Sequence, residues 1–220
     1  MHNLEELRLD WYGAASHYHR LDMAFDKVPR LRRLDLSGVI FSNVDQNVPP
    51  NLEFLRFHAG IANLNFPSPP GPLFQNLKTL IFSDVTWLID MSLRWFLDNT
   101  SSALRILWVD SCLGIANSLG DLIKNGYLNN LTELNISRIR KIDDNTAKLI
   151  LENMLELNVF YLSFTAVTGR TVKLFADALA SEDTTTAKVE RLHLRGCEAV
   201  SSDAVAYGRQ RGIDIFTIND

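Results

Sequence analysis

The sequence predicts an α/β solenoid, in which short parallel strands stack in chain order with helical or irregular returns behind them. Three observations predict it. One apolar hexamer, L-x-x-L-x-L with conservative replacements, recurs nine times. Its copies follow one another at near-regular intervals, and several of the segments between them carry helical periodicity.

The hexamers are Leu4-Leu7-Leu9, Leu31-Leu34-Leu36, Leu52-Leu55-Phe57, Leu77-Leu80-Phe82, Leu104-Leu107-Val109 and Leu131-Leu134-Ile136. They continue as Val159-Leu162-Phe164, Val189-Leu192-Leu194 and a weaker Ile213-Phe216-Ile218. Successive first positions lie 27, 21, 25, 27, 27, 28, 30 and 24 residues apart. That is the spacing of leucine-rich repeats, roughly 20–29 residues. In a strand, side chains alternate between two faces, so the fourth and sixth residues of each hexamer point the same way. Stacked copies bury those residues in one continuous core. The chain must then return to begin the next parallel strand, most often through a helix.

Four returns read as helices. Ala147, Ile150, Leu151 and Met154 follow the capping pair Asp143-Asp144, and Val172, Phe175, Ala176 and Leu179 repeat that spacing. Ile89, Leu93, Phe96 and Leu97 form a third apolar face; Leu119, Leu122 and Ile123, closed by Gly126, form a fourth. The early returns differ. Residues 37–51 are short and polar and end in Pro49-Pro50, and residues 66–73 read FPSPPGPL, a rigid connector that excludes helix and central strand. The expected architecture is one domain over 1–220: a right-handed solenoid (horseshoe) of about nine repeats, with a curved parallel sheet on its concave face.

Composition narrows the function. The chain has 220 residues, 46% of them hydrophobic, and a net charge of −4. It has apolar material for a core, and its mild acidity speaks against a general nucleic-acid binder, which needs a basic footprint. No apolar run reaches the ~18 residues of a membrane span. The acidic start MHNLEELRLD lacks the basic and apolar regions of a secretory signal, so the cytoplasm or nucleus is expected. Cys112 and Cys197 fall three repeats apart, about 14 Å at the usual strand spacing, beyond the reach of a disulfide. No second ligand stands at zinc spacing, so buried thiols are expected and no metal or cofactor.

Catalysis finds no foothold. His58, Ser83 and Asp110 occupy the seventh position of successive repeats, but serine stands in the middle, where a nucleophilic triad requires the imidazole. No G-x-S-x-G elbow, HExxH or phosphate-binding glycine loop is present. No catalytic residue is assigned. What remains is the concave surface, formed by the third, fifth and seventh hexamer residues. The third-position row reads Glu6, Arg33, Phe54, Thr79, Ile106, Glu133, Tyr161, Arg191, Ile215. The fifth reads Arg8, Asp35, Arg56, Ile81, Trp108, Asn135, Ser163, His193, Thr217. Phe54, Ile81, Ile106 and Trp108 put large apolar groups where water is expected. Arg56, His58, Tyr161, Arg191, His193 and Arg195 surround them. This has the makings of a protein-binding face; the alternative is that a return loop folds over these residues as core.

The ninth position of each repeat carries a family resemblance. It is Cys112 in LWVDSC and Cys197 in LHLRGC, and Val39, Val85, Ile139 and Val167 elsewhere. The stretch Leu192-His193-Leu194-Arg195-Gly196-Cys197-Glu198-Ala199-Val200-Ser201-Ser202-Asp203 resembles the cysteine-containing leucine-rich repeats of F-box proteins. Ile139-Arg140-Lys141-Ile142-Asp143-Asp144 is a looser match. The resemblance implies a non-enzymatic scaffold, the substrate-binding region of an F-box-type ubiquitin ligase receptor, with another protein as its partner. The first repeat begins at Leu4, so an adaptor-binding F-box is not among these residues. Two other readings stay open: a regulatory solenoid similar to ribonuclease-inhibitor-like or GTPase-activating types, and a structural subunit of a larger assembly.

Overall fold

The computed structural model describes residues 3–10, 27–38, 48–59, 73–115, 119–182 and 184–217. Nine strands form one sheet, in sequence order and parallel throughout. They are β1 (Glu6–Asp10), β2 (Arg33–Ser37), β3 (Phe54–His58), β4 (Thr79–Ser83), β5 (Ile106–Asp110), β6 (Glu133–Asn135), β7 (Val159–Tyr161), β8 (Arg191–His193) and β9 (Asp214–Phe216). This α/β arrangement is consistent with a leucine-rich-repeat-like solenoid of about nine repeats. The returns at 37–51 and 66–73, expected to be irregular, fall largely outside the described residues.

The strands are held in register by a recurring pair of backbone bonds. The Glu5 carbonyl accepts from the amides of Arg32 and Arg33, and Arg32 then accepts from Glu53 and Phe54. The rung repeats at Glu53, Lys78, Arg105, Thr132 and Asn158, each carbonyl at the second position of its repeat. Each rung satisfies donors that would otherwise be orphaned where the chain enters the sheet.

The fourth and sixth positions form the core. Leu34, Leu55, Leu80, Leu107, Leu134 and Leu192 are buried in one ladder, with Leu36, Phe57, Phe82, Val109, Ile136 and Leu194 beside it. Phe82 stacks on Phe57 at 5.4 Å and meets Phe96 edge-on at 5.1 Å, which ties the sheet to the first helix.

Helices α1 (Asp90–Asp98), α2 (Leu119–Lys124), α3 (Asp144–Asn153) and α4 (Gly169–Ala180) stand where periodicity placed them. Asp143 caps α3 by accepting from the Thr146 amide at 3.0 Å, and Thr168 caps α4 by accepting from Arg170. Ile89, expected on the buried face of α1, is instead its exposed N-cap, and Ser92 is buried within the first turn. A fifth helix, α5 (Ser202–Gln210), has no counterpart among the helices expected from periodicity. Gly208 is its sole buried residue, so no apolar stripe marks it in the sequence.

Two repeats sit in a different register from the expected one. Phe160 pairs with Leu134 and Leu192, so the seventh hexamer is Leu157-Phe160-Leu162, two residues earlier than Val159-Leu162-Phe164. A shift of two preserves which face each residue occupies, so both frames fit the alternation. The frame is fixed by Phe160, whose buried ring meets Phe175 at 5.8 Å. The ninth strand is offset by one, with Ile215 buried opposite Leu192 and Phe216 turned outward. A one-residue slip exchanges faces, so Phe216 joins the surface that Ile215 and Thr217 were expected to share.

Candidate binding face

On the face opposite the core, the corrected fifth-position row is Arg8, Asp35, Arg56, Ile81, Trp108, Asn135, Tyr161, His193 and Phe216. Tyr161 therefore stands in the fifth row rather than the third, and Ser163 in the seventh rather than the fifth. This places four rings in series. Trp108 and Tyr161 lie 5.4 Å apart, across Asn135. Tyr161 stacks on His193 at 4.0 Å, and His193 on Phe216 at 4.4 Å with planes within 6°. Parallel strands repeat at about 4.8 Å, close to ring-stacking distance, so rings in one row fall into contact.

The ladder is held from its sides. The indole N–H of Trp108 donates to Glu133 Oε1 at 2.7 Å, fixing the ring on the sheet. Asn135 is buried, its side-chain oxygen accepting from the Ser137 amide at 2.9 Å. Burial lowers the His193 imidazole pKa below its ordinary value, and the Arg191 charge adds to this against the opposing pull of Asp214. The ring is thus neutral at pH 7. Phe216 keeps 37% of its surface exposed.

The structure brings some of the expected site residues together and separates others. Ile81 pairs with Trp108 across β4 and β5. Phe54 and Ile106 share the third-position row but flank Thr79, and the Arg33 guanidinium lies 3.6 Å from the Phe54 ring centre. Arg56 reaches Asp35 at 3.7 Å; that carboxylate is buried, and Arg56 Nε makes no hydrogen bond among the described residues. Arg8 bonds Asp10 on its own strand at 2.6 Å. Arg191 and Arg195 are exposed near the ladder's end.

His58, Ser83 and Asp110 do line up as cross-strand neighbours. His58 Nδ1 is buried without a hydrogen bond among the described residues, and Asp110 pairs with Arg138 at 3.3 Å. Burial pushes the Asp110 carboxyl above its usual value, against the pull of Arg138. Among the described residues no three His, Cys, Asp or Glu side chains form a metal-binding group. Nor is any helix there long and apolar enough to cross a membrane.

The cysteines are free and buried. Cys112 Sγ donates to the Phe82 carbonyl at 3.7 Å, and Cys197 Sγ to the Leu162 carbonyl at 3.1 Å. Each ties its repeat to the sixth position of the one before. Burial raises the Cys112 thiol to about 12, so it is no nucleophile at neutral pH. In the seventh repeat the corrected register puts Thr165, not Val167, at this position. Its hydroxyl donates to the same Leu162 carbonyl at 2.6 Å and lies 3.8 Å from Cys197 Sγ.

Phe216 lies outside the expected face because its strand is offset by one residue; the I-x-I alternation of Ile213 and Ile215, both buried, is the sequence signal for the observed frame. No protein-family model matches the chain, and no curated protein matches it either.

Proposed function

We propose that this chain is a protein-recognition scaffold whose open sheet face binds another protein. We further propose that it is the substrate-binding leucine-rich-repeat region of an F-box-type ubiquitin ligase receptor. The observation that supports the first reading is the ring series Trp108, Tyr161, His193 and Phe216 on a rigid sheet. Aromatic groups dominate binding energy when a partner desolvates them, and here stacking has already restricted their rotamers. Arg191 and Arg195 are rim charges that steer encounter more than they hold the complex. The cysteine-type stretch from Leu192 to Asp203 supports the ligase reading.

The test compares full-length wild type with Trp108→Ala and His193→Ala in affinity capture from cells, with a thermal melt of each. Each substitution should weaken partner capture by about 2 kcal/mol or more while the melts stay close. A variant that melts far lower with an unchanged set of bound proteins would remove the face from consideration. Captured partners whose ubiquitination and abundance in cells do not change when the protein is depleted would leave the scaffold standing and sink the ligase assignment.

A further inference from the structure

A second surface lies away from the ring ladder, at the carboxyl ends of β4 to β7. The eighth residue of each repeat there turns the chain with a positive φ: Asp84 (54°), Ser111 (59°), Arg138 (62°) and Phe164 (58°). The second and eighth repeats use glycine for this turn, at Gly38 and Gly196. Left-handed backbone is strained for a residue with a Cβ, and such strain gathers at ligand clamps. Here it projects four successive side chains along one rim.

Those side chains line a groove of about 760 Å³. Its apolar part is Leu113, 71% exposed, Phe164, 41% exposed, and the buried Ile139. Its polar part is Arg138, Arg140, Lys141 and Asp84. The Arg138 guanidinium sits 5.5 Å from the Phe164 ring centre and 3.3 Å from Asp110, which fixes its direction. Ser111 Oγ, on the groove wall, is buried without a hydrogen-bond partner among the described residues. The lining sets one carboxylate, Asp84, beside Arg138, Arg140 and Lys141, on a chain whose net charge is −4.

We infer that this rim groove binds an acidic peptide segment of a partner protein, one that carries an aliphatic or aromatic side chain among its carboxylates. The apolar side chain covers Leu113 and Phe164, and the carboxylates meet Arg140, Lys141 and the remaining donors of Arg138. Charge selects the segment and the apolar floor sets its register. Binding here is independent of the ring ladder on the open face.

The probe is a fluorescein-labelled ten-residue peptide of alternating glutamate and leucine, titrated against the full chain by fluorescence anisotropy. Saturable binding that weakens with salt is expected. Arg140→Glu with Lys141→Glu should weaken it by about tenfold or more, as reversal of complementary charges does. Both side chains are exposed, so the fold should survive, and a melt verifies this. Leu113→Ser should weaken binding separately, and Trp108→Ala should leave it unchanged. The inference is overturned by absent saturation, or by binding that ignores the double charge reversal in a folded variant. Equal binding of a leucine-free polyglutamate or a single-stranded oligonucleotide would also overturn it, because the groove would then be a general anion surface. Loss of binding in Trp108→Ala alone would move the peptide to the open face.

Discussion

The imidazole of His193 lies 4.0 Å from the phenol ring of Tyr161 and within 12° of parallel to it. Phe216 covers the opposite side at 4.4 Å. A ring held between two others is poorly hydrated when charged, which is why burial heads the causes lowering its pKa. In the unfolded chain the same histidine titrates near 6.5. Between the lowered folded value and 6.5 the unfolded state binds more protons, so stability rises with pH across that window and is lost below it. Wild type should therefore lose melting temperature between pH 7 and pH 5.5, and His193→Phe should lose less. Parallel losses in the two proteins would show that the stacked imidazole does not titrate as proposed.

The seventh repeat supplies a direct test of register. Phe160 is fully buried, and Phe164 stands on the rim. Phe160→Ala should cost about 3–5 kcal/mol, the usual range for removing a buried phenylalanine. Phe164→Ala should cost far less, which denaturant titration of both variants would measure. The reverse order would restore the frame in which Phe164 faces the core.

That pair also marks how far the sequence alone carries. Strand order, parallel pairing and the buried ladder were legible, because L-x-x-L-x-L admits one frame wherever leucine holds the fourth position. In V-F-Y-L-S-F both frames use the same alternation, Phe160, Leu162 and Phe164, which is apolar throughout, and only packing against Phe175 decides between them. Trp108, Tyr161 and His193 were legible as surface residues. Their contact as a series with Phe216 was not, since it depends on two register shifts. The rim groove left no pattern, because φ is invisible in a sequence that places Asp, Ser, Arg and Phe where glycine would have announced a turn.

Gly196 and Phe164 depend on each other. A Cβ built on Gly196 would come within 2.4 Å of the Phe164 ring, and the glycine holds a φ of +68°. Gly196→Ala should destabilise by roughly 1–3 kcal/mol through left-handed strain and that clash. In a double-mutant cycle with Phe164→Ala, the clash should disappear and the strain remain, giving partial rescue. Complete additivity of the two substitutions would mean that the ring already lies elsewhere.

Asp144 joins successive repeats through their helices. It is the first residue of α3, yet its carboxylate accepts from the Thr168 amide at 2.9 Å, the Thr168 hydroxyl at 2.7 Å and the buried Thr171 hydroxyl at 2.5 Å. Burial pushes this carboxyl up, but those three bonds together with the Thr171 amide outweigh it and hold the pKa below the usual aspartate value. A carboxylate depressed in this way stabilises the fold above the unfolded aspartate pKa, near 3.9. That contribution fades as pH falls through the lower folded value. Asp144→Ala removes the acceptor and leaves the Thr171 hydroxyl buried without it, at a cost of roughly 1–3 kcal/mol. Asp144→Asn keeps the shape and one acceptor oxygen, so it should cost less. Both variants should lose less stability than wild type below pH 4, because the group that titrates there is gone. Equilibrium unfolding at pH 7 and pH 3.5 measures both effects. If Asp144→Ala is neutral at pH 7, the two helices are joined by the apolar core alone.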